Sequence, residues 1–208
     1  GLKLPPIQRL KTQGRHISKF LVMPSFLSGL IAAALGYGLM TFLMTATPLQ
    51  IVDVSKLSHE ANARVIQWHV FAMFAPSLFS GILIAKFGVG KILWVGLACY
   101  VLASITALSG NEFYTYLIAL ILLGIGWNFL YVGGSSIIAN CTNPEERGRV
   151  QGIADFCIFS MVATASMLSG MIHNQLGWVF MMTIAFVPIF LIAVSLILGR
   201  PKLISEPT

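Results

Sequence analysis

Six stretches of this sequence are nearly free of charge, and each is about as long as a lipid bilayer is thick. They cover residues 24–50, 65–85, 91–110, 113–139, 150–174 and 178–198. A helix of ~20 residues crosses the ~30 Å hydrocarbon core. Inside lipid every backbone N–H and C=O must be satisfied within the protein, so only helices or closed barrels can cross. The runs show no sustained apolar–polar alternation, which argues against strands. Composition agrees: 57% of residues are hydrophobic and 10% charged, against about a quarter charged in an ordinary soluble domain. The predicted fold is an all-α membrane protein of six transmembrane helices. A basic segment (1–23) precedes the bundle (24–199), and a short tail (200–208) follows it.

Lysine and arginine set the topology. Lys3, Arg9, Lys11, Arg15 and Lys19 lie ahead of the first span. Lys86 and Lys91 lie in the second loop, Arg147 and Arg149 in the fourth, and Arg200 and Lys202 in the tail. Only Lys56 and Arg64 fall on the opposite side. The positive-inside rule then places both ends in the cytoplasm. Six of the seven acids also fall in loops or tail; Asp155 alone lies within a span.

Several function classes find no support. The basic residues are scattered over loops, so the formal charge of +6 does not imply nucleic-acid binding. Cys99, Cys141 and Cys157 have no metal-ligand spacing, and their odd number argues against a disulfide framework. No nucleophile elbow, zincin helix or phosphate loop occurs. No enzyme activity, cofactor or metal is expected. The chain begins Gly1-Leu2-Lys3, which reads as a fragment or processed product.

An internal repeat refines the architecture. Leu35-Gly36-Tyr37-Gly38 in the first span matches Leu123-Gly124-Ile125-Gly126 in the fourth. Ser80-Gly81 followed by Gly88 matches Ser169-Gly170 followed by Gly177. The offsets agree to within one residue, which favours duplication of a three-helix unit. Because three is odd, the second copy lies inverted.

The segment Gly81-Ile-Leu-Ile-Ala-Lys-Phe-Gly-Val-Gly-Lys91 resembles the cytoplasmic loop signature of the major facilitator superfamily. Gly81, Lys86, Gly88 and Lys91 fit that pattern, whereas Ala85 stands where the family has Asp. The loop Asn143-Pro-Glu-Glu-Arg-Gly-Arg149 is similar to the family's loop between helices ten and eleven. The resemblance implies the C-terminal half of a secondary transporter, helices seven to twelve. It implies alternating access against an N-terminal six-helix half or partner chain, in a bacterial inner membrane. A small organic solute, proton coupling and efflux are expected. A non-transporting scaffold subunit or a self-dimerising half are the alternatives.

The sequence also offers candidate site residues. Tyr37, Met40, Thr41, Thr45, Trp127, Asn128 and Tyr131 sit near the matched glycines, at equal depth in the two repeats, and are candidates for a solute cavity. Glycine-interrupted segments at corresponding positions point to such a site. Arg147, Gln151 and Asp155 are spaced i, i+4, i+8 and share a helix face, with Ser166, Ser169 and His173 continuing that stripe. Asp155 is a candidate first for a gate ion pair and second for proton coupling. His69 is placed near the outer end of its span and is a candidate proton carrier. Gly81 and Gly88 are expected to allow close helix approach and a tight turn. Asn143, Pro144 and Glu146 read as a capping box opening the fifth helix.

Overall fold

The computed structural model describes residues 15–199. Of the basic leader, residues 1–14 lie outside the described part, as does the tail 200–208. The elements are α1 (Ile17–Leu21), α2 (Pro24–Pro48), a π-helical turn (Leu49–Val54), α3 (His59–Phe74), α4 (Ser77–Phe87), α5 (Val89–Leu108), α6 (Phe113–Asn140), α7 (Pro144–Ile184) and α8 (Phe186–Gly199).

Proline and glycine place the breaks. Pro48 cannot donate to the Met44 carbonyl, and the helix re-registers as a π turn, with Ser55 N bonding Gln50 O at 2.9 Å. Pro76 separates α3 from α4, which together form a span bent by 42°. Gly88 turns α4 into α5 at φ 84°, and Gly177 breaks α7 at φ 76°. Both are left-handed conformations that cost a glycine little. Pro188 lacks the N–H that the Ile184 carbonyl needs, which fits the break between α7 and α8.

Four continuous stretches are long and apolar enough to cross a membrane, and the bent pair α3–α4 makes a fifth. The last stretch, Pro144–Gly199, has 56 residues and folds back at Gly177, so it supplies two passes. Contacts fix the direction of each. Going up α2, Gly29 meets Gly134, Gly36 meets Leu130 and Gln50 meets Tyr116, so α6 runs antiparallel to it. On α7, Gly38 meets Met161, Phe42 meets Ser169 and Gln50 meets His173, so residues 144–176 run parallel to α2. Ser25 then bonds Gly199 O, so the return leg runs antiparallel. His69 bonds Leu120 and Asn128 bonds Met73, which sets α3 parallel to α6. The passes alternate throughout: up-down-up, then down-up-down. That is the predicted pair of inverted three-helix repeats, and it brings Arg15 and Gly199 to the same end of the bundle. We call this the basic end.

The matched glycines are sites of close packing, and here the structure corrects the sequence reading. Both α2 and α6 are unbroken through them, so neither segment is glycine-interrupted. A Cβ at Gly126 would strike the Tyr100 ring at 2.5 Å and one at Gly124 would strike His69 O at 2.8 Å. Without a side chain at Gly126, the Tyr100 ring crosses to donate its OH to Gly36 O at 2.6 Å. Gly81 is also corrected: nothing lies within 4 Å of its Cβ position, so it is not a close-approach point, whereas Gly88 does form the tight turn.

A candidate solute site and two buried polar clusters

Three of the predicted cavity residues form one group. Trp127 and Tyr131 stack with centroids 5.4 Å apart and planes within 6°. Their i, i+4 spacing puts them on one face of α6. Tyr37 of α2 stands edge-on to both, at 5.0 Å and 5.4 Å. Two rings that sequence reasoning missed complete the group: Phe159 of α7 lies 6.0 Å from Tyr37, and Phe74 of α3 lies 5.9 Å from Trp127. Rings from four passes thus meet at one place. Trp127 is 5% exposed, while Phe74 and Phe159 are more than half exposed, so the group opens to one side. The indole Nε1 of Trp127 is buried without a partner among the described residues.

The other cavity candidates are placed elsewhere. Asn128 is buried and points to the α3–α4 break, where Nδ2 donates to the Met73 carbonyl at 2.7 Å and to Ser77 Oγ. Pro76 disrupts the helix at that turn, and Asn128 caps it. Met40 lies in the packed core. Thr41 is half-buried and Thr45 exposed.

Asp155 accepts a hydrogen bond from Gln151 Nε2 at 2.8 Å. It sits one helical turn from Phe159, on the rim of the ring group. Arg147 is exposed. Among the described residues Asp155 forms no ion pair with Arg147, Arg149 or Lys86. Lys86 and Lys91 are exposed, and the Lys86 ammonium lies over the Phe87 ring.

His69 lies deeper than expected. Ser58 caps α3 through Ala61 N, so the helix starts at His59 and His69 is nearly three turns in. It is fully buried and its Nδ1 donates to Leu120 O at 2.7 Å. It ties α3 to α6, with Nε2 left without a partner among the described residues.

The basic end is closed by an ion pair. The capping box at Asn143 forms as expected, and Glu146 is then recruited further. Arg15 donates its backbone N–H and its guanidinium to Glu146 (2.6 and 2.9 Å), and also donates to Cys141 O at 2.9 Å. The Arg15 guanidinium packs 4.6 Å from the Phe20 ring centroid. Arg149 in turn donates to Arg15 O. The Glu146 side chain is only 3% exposed. The guanidinium, followed by the Arg15 and Asn143 N–H groups, holds its carboxyl at about 2, down from 4.5.

A depressed carboxylate contributes stability that is complete above its unfolded value of 4.5 and is lost as pH falls toward about 2. Glu146→Gln is therefore expected to lower the melting temperature at neutral pH. The gap to wild type should narrow as pH drops through 4.5. Melting curves of the detergent-solubilised protein at several pH values check this, and a pH-independent gap would refute the pairing.

The number of passes and their alternation match the expected inverted repeats, and comparison with known proteins shows the family. The family model described as Major Facilitator Superfamily matches residues 18–208, and the chain belongs to this transporter family. It is similar to the riboflavin transporter RfnT of Brucella anthropi, 39% identical over 206 residues, covering 97% of this chain and 52% of that protein. It also resembles two uncharacterised MFS-type transporters of Bacillus subtilis. YddS is 32% identical over 69% of this chain and YdeG is 34% identical over 64%; the matches cover 33% and 31% of those proteins. The chain spans about half or less of the length of these curated relatives.

Proposed function

We propose that this chain is one half of a carrier that moves a small, flat aromatic solute of the riboflavin type by alternating access. A second six-helix half faces it across the ring group, and a proton gradient drives the cycle. The observation that carries the reading is the five-ring group of Trp127, Tyr131, Tyr37, Phe74 and Phe159. Aromatic faces and edges favour planar π systems, and the unpartnered Trp127 Nε1 offers a donor to a ring carbonyl. The similarity to a riboflavin transporter supports the same solute class. Asp155 on the rim is the acid available to bind a proton or to pair across the cleft. The excess of lysine and arginine at the basic end supports a cytoplasmic location for that end, in a bacterial inner membrane.

The test is flavin flux in liposomes holding the intact carrier, this chain with the half that faces it. A pH gradient should drive accumulation of riboflavin, and reversing the gradient tests the expected efflux direction. Asp155→Asn should abolish gradient-driven accumulation while leaving flavin exchange intact. Unchanged accumulation removes Asp155 from the proton path. Absence of flux under every gradient overturns the transport reading in favour of a scaffold.

A further inference from the structure

At the end of the bundle opposite Arg15 lies a second buried polar cluster, outside the ring group. Tyr116 of α6 donates its hydroxyl to Asn111 Oδ1 at 3.1 Å. Its oxygen therefore accepts from Gln50 Nε2 at 3.2 Å and from Ser55 Oγ at 2.7 Å. That fixes the Gln50 amide, whose Oε1 is left to accept from His173 Nε2 at 3.1 Å. With Nε2 carrying the hydrogen, neutral His173 holds a bare lone pair on Nδ1. That atom is buried with no partner among the described residues, in a side chain 94% removed from solvent as judged by its 6% exposure.

We propose that His173 is a proton-binding site, and that its protonation opens this end of the bundle. The inference rests on the transport reading and adds to it a group that receives the proton at the end opposite the basic one. A proton from solvent converts the Nδ1 lone pair into an N–H donor for which the closed cluster provides no acceptor. The charged form is thereby penalised in the closed arrangement and favours separation of α7 from the π turn. Two features make this a place where the chain can yield. Gln50 lies in the π turn, and His173 lies four residues before the Gly177 break. Among the described residues no fixed charge answers the imidazolium. The groups facing it are Gln50 on the π turn, Tyr116 of α6 beyond Gln50, and Trp178 on the return leg, its ring 6.4 Å away. The Trp178 indole is committed to Ala107 O of α5. The charged side chains of this end, Asp53, Lys56, Glu60, Arg64 and Glu112, are exposed, as is His59, and Arg64 pairs with Glu60.

The experiment measures flavin flux by the intact carrier in liposomes as a function of pH on this side, alongside flavin exchange without a gradient. Wild-type flux should rise as pH falls. His173→Gln keeps a hydrogen-bonding side chain but should flatten that acid limb while exchange persists. Gln50→Glu sets a carboxylate against Nε2 and should move the midpoint to higher pH by about one unit or more. A wild-type pH profile in His173→Gln, or an unmoved midpoint in Gln50→Glu, overturns the proposal. If the wild-type carrier moves no flavin, the transport reading fails separately. The site is then read by histidine-selective NMR. A ring signal missing from His173→Gln should respond to pH and shift in Gln50→Glu; a signal that does not respond overturns it.

Discussion

Gly134→Ala is expected to prevent stable assembly of the bundle, although it adds a single methyl group. A Cβ at position 134 would lie 2.5 Å from Gly29 O and 3.0 Å from both the N and Cβ of Ala33. These are mainly backbone atoms of α2, so no side-chain rotation relieves the clash and the two helices must separate. Separation would propagate. Along the same seam Gly36 packs on Leu130, and Tyr100 reaches across to Gly36 O. In lipid, where tails are as apolar as leucine, close van der Waals packing through small residues is a main source of helix association. Overpacking a tight site costs typically 1–3 kcal/mol, and a backbone-on-backbone clash belongs at the upper end. Size-exclusion profiles and melting temperatures of the solubilised carrier give the measurement. Gly81→Ala, with nothing near its Cβ position, is the control and should behave as wild type. If Gly134→Ala melts with Gly81→Ala, the seam does not hold the fold.

The contrast between those two glycines shows what the sequence could and could not convey. Span number and alternation were legible because lipid imposes length and apolarity on each pass and the loops carry sign-sorted charge. The start of α7 was legible too, since a capping box is local chemistry. Depth within a span was less secure. His69 read as interfacial because its apolar run opens at Val65, yet Ser58 caps the helix earlier and puts His69 deep between α3 and α6. Of the ring group, Tyr37, Trp127 and Tyr131 stood out by position. Phe74 and Phe159 did not, since one more phenylalanine in an apolar span carries no contrast. The partners of Asn128 and His173 were out of reach because each is created by a distant break: Pro76 exposes the Met73 carbonyl, and the π turn lodges Gln50 against α7. Arg15 and Lys19 looked alike as two positive charges before the first span, but only Arg15 is seen to grip Glu146.

Trp127 is where the fold and the proposed activity can be separated by two substitutions. Trp127→Ala removes a nearly buried indole from the centre of four passes, and large-to-small changes of this kind cost about 3–5 kcal/mol. A clear fall in melting temperature is expected, together with loss of the stack on Tyr131. Trp127→Phe keeps a ring against Tyr37, Phe74 and Tyr131, so melting should fall much less than in Trp127→Ala. It deletes the Nε1–H, which has no partner among the described residues, along with three of the indole's ring atoms. If that donor serves a ring carbonyl of the solute, removing it costs about 0.5–1.5 kcal/mol of binding, a roughly two- to tenfold rise in Kd. Quenching of flavin fluorescence by the intact carrier reports that constant directly. A Trp127→Phe carrier that binds flavin as tightly as wild type would mean the indole N–H does not touch the solute. The ring group would then be packing between the helices rather than the floor of a binding site.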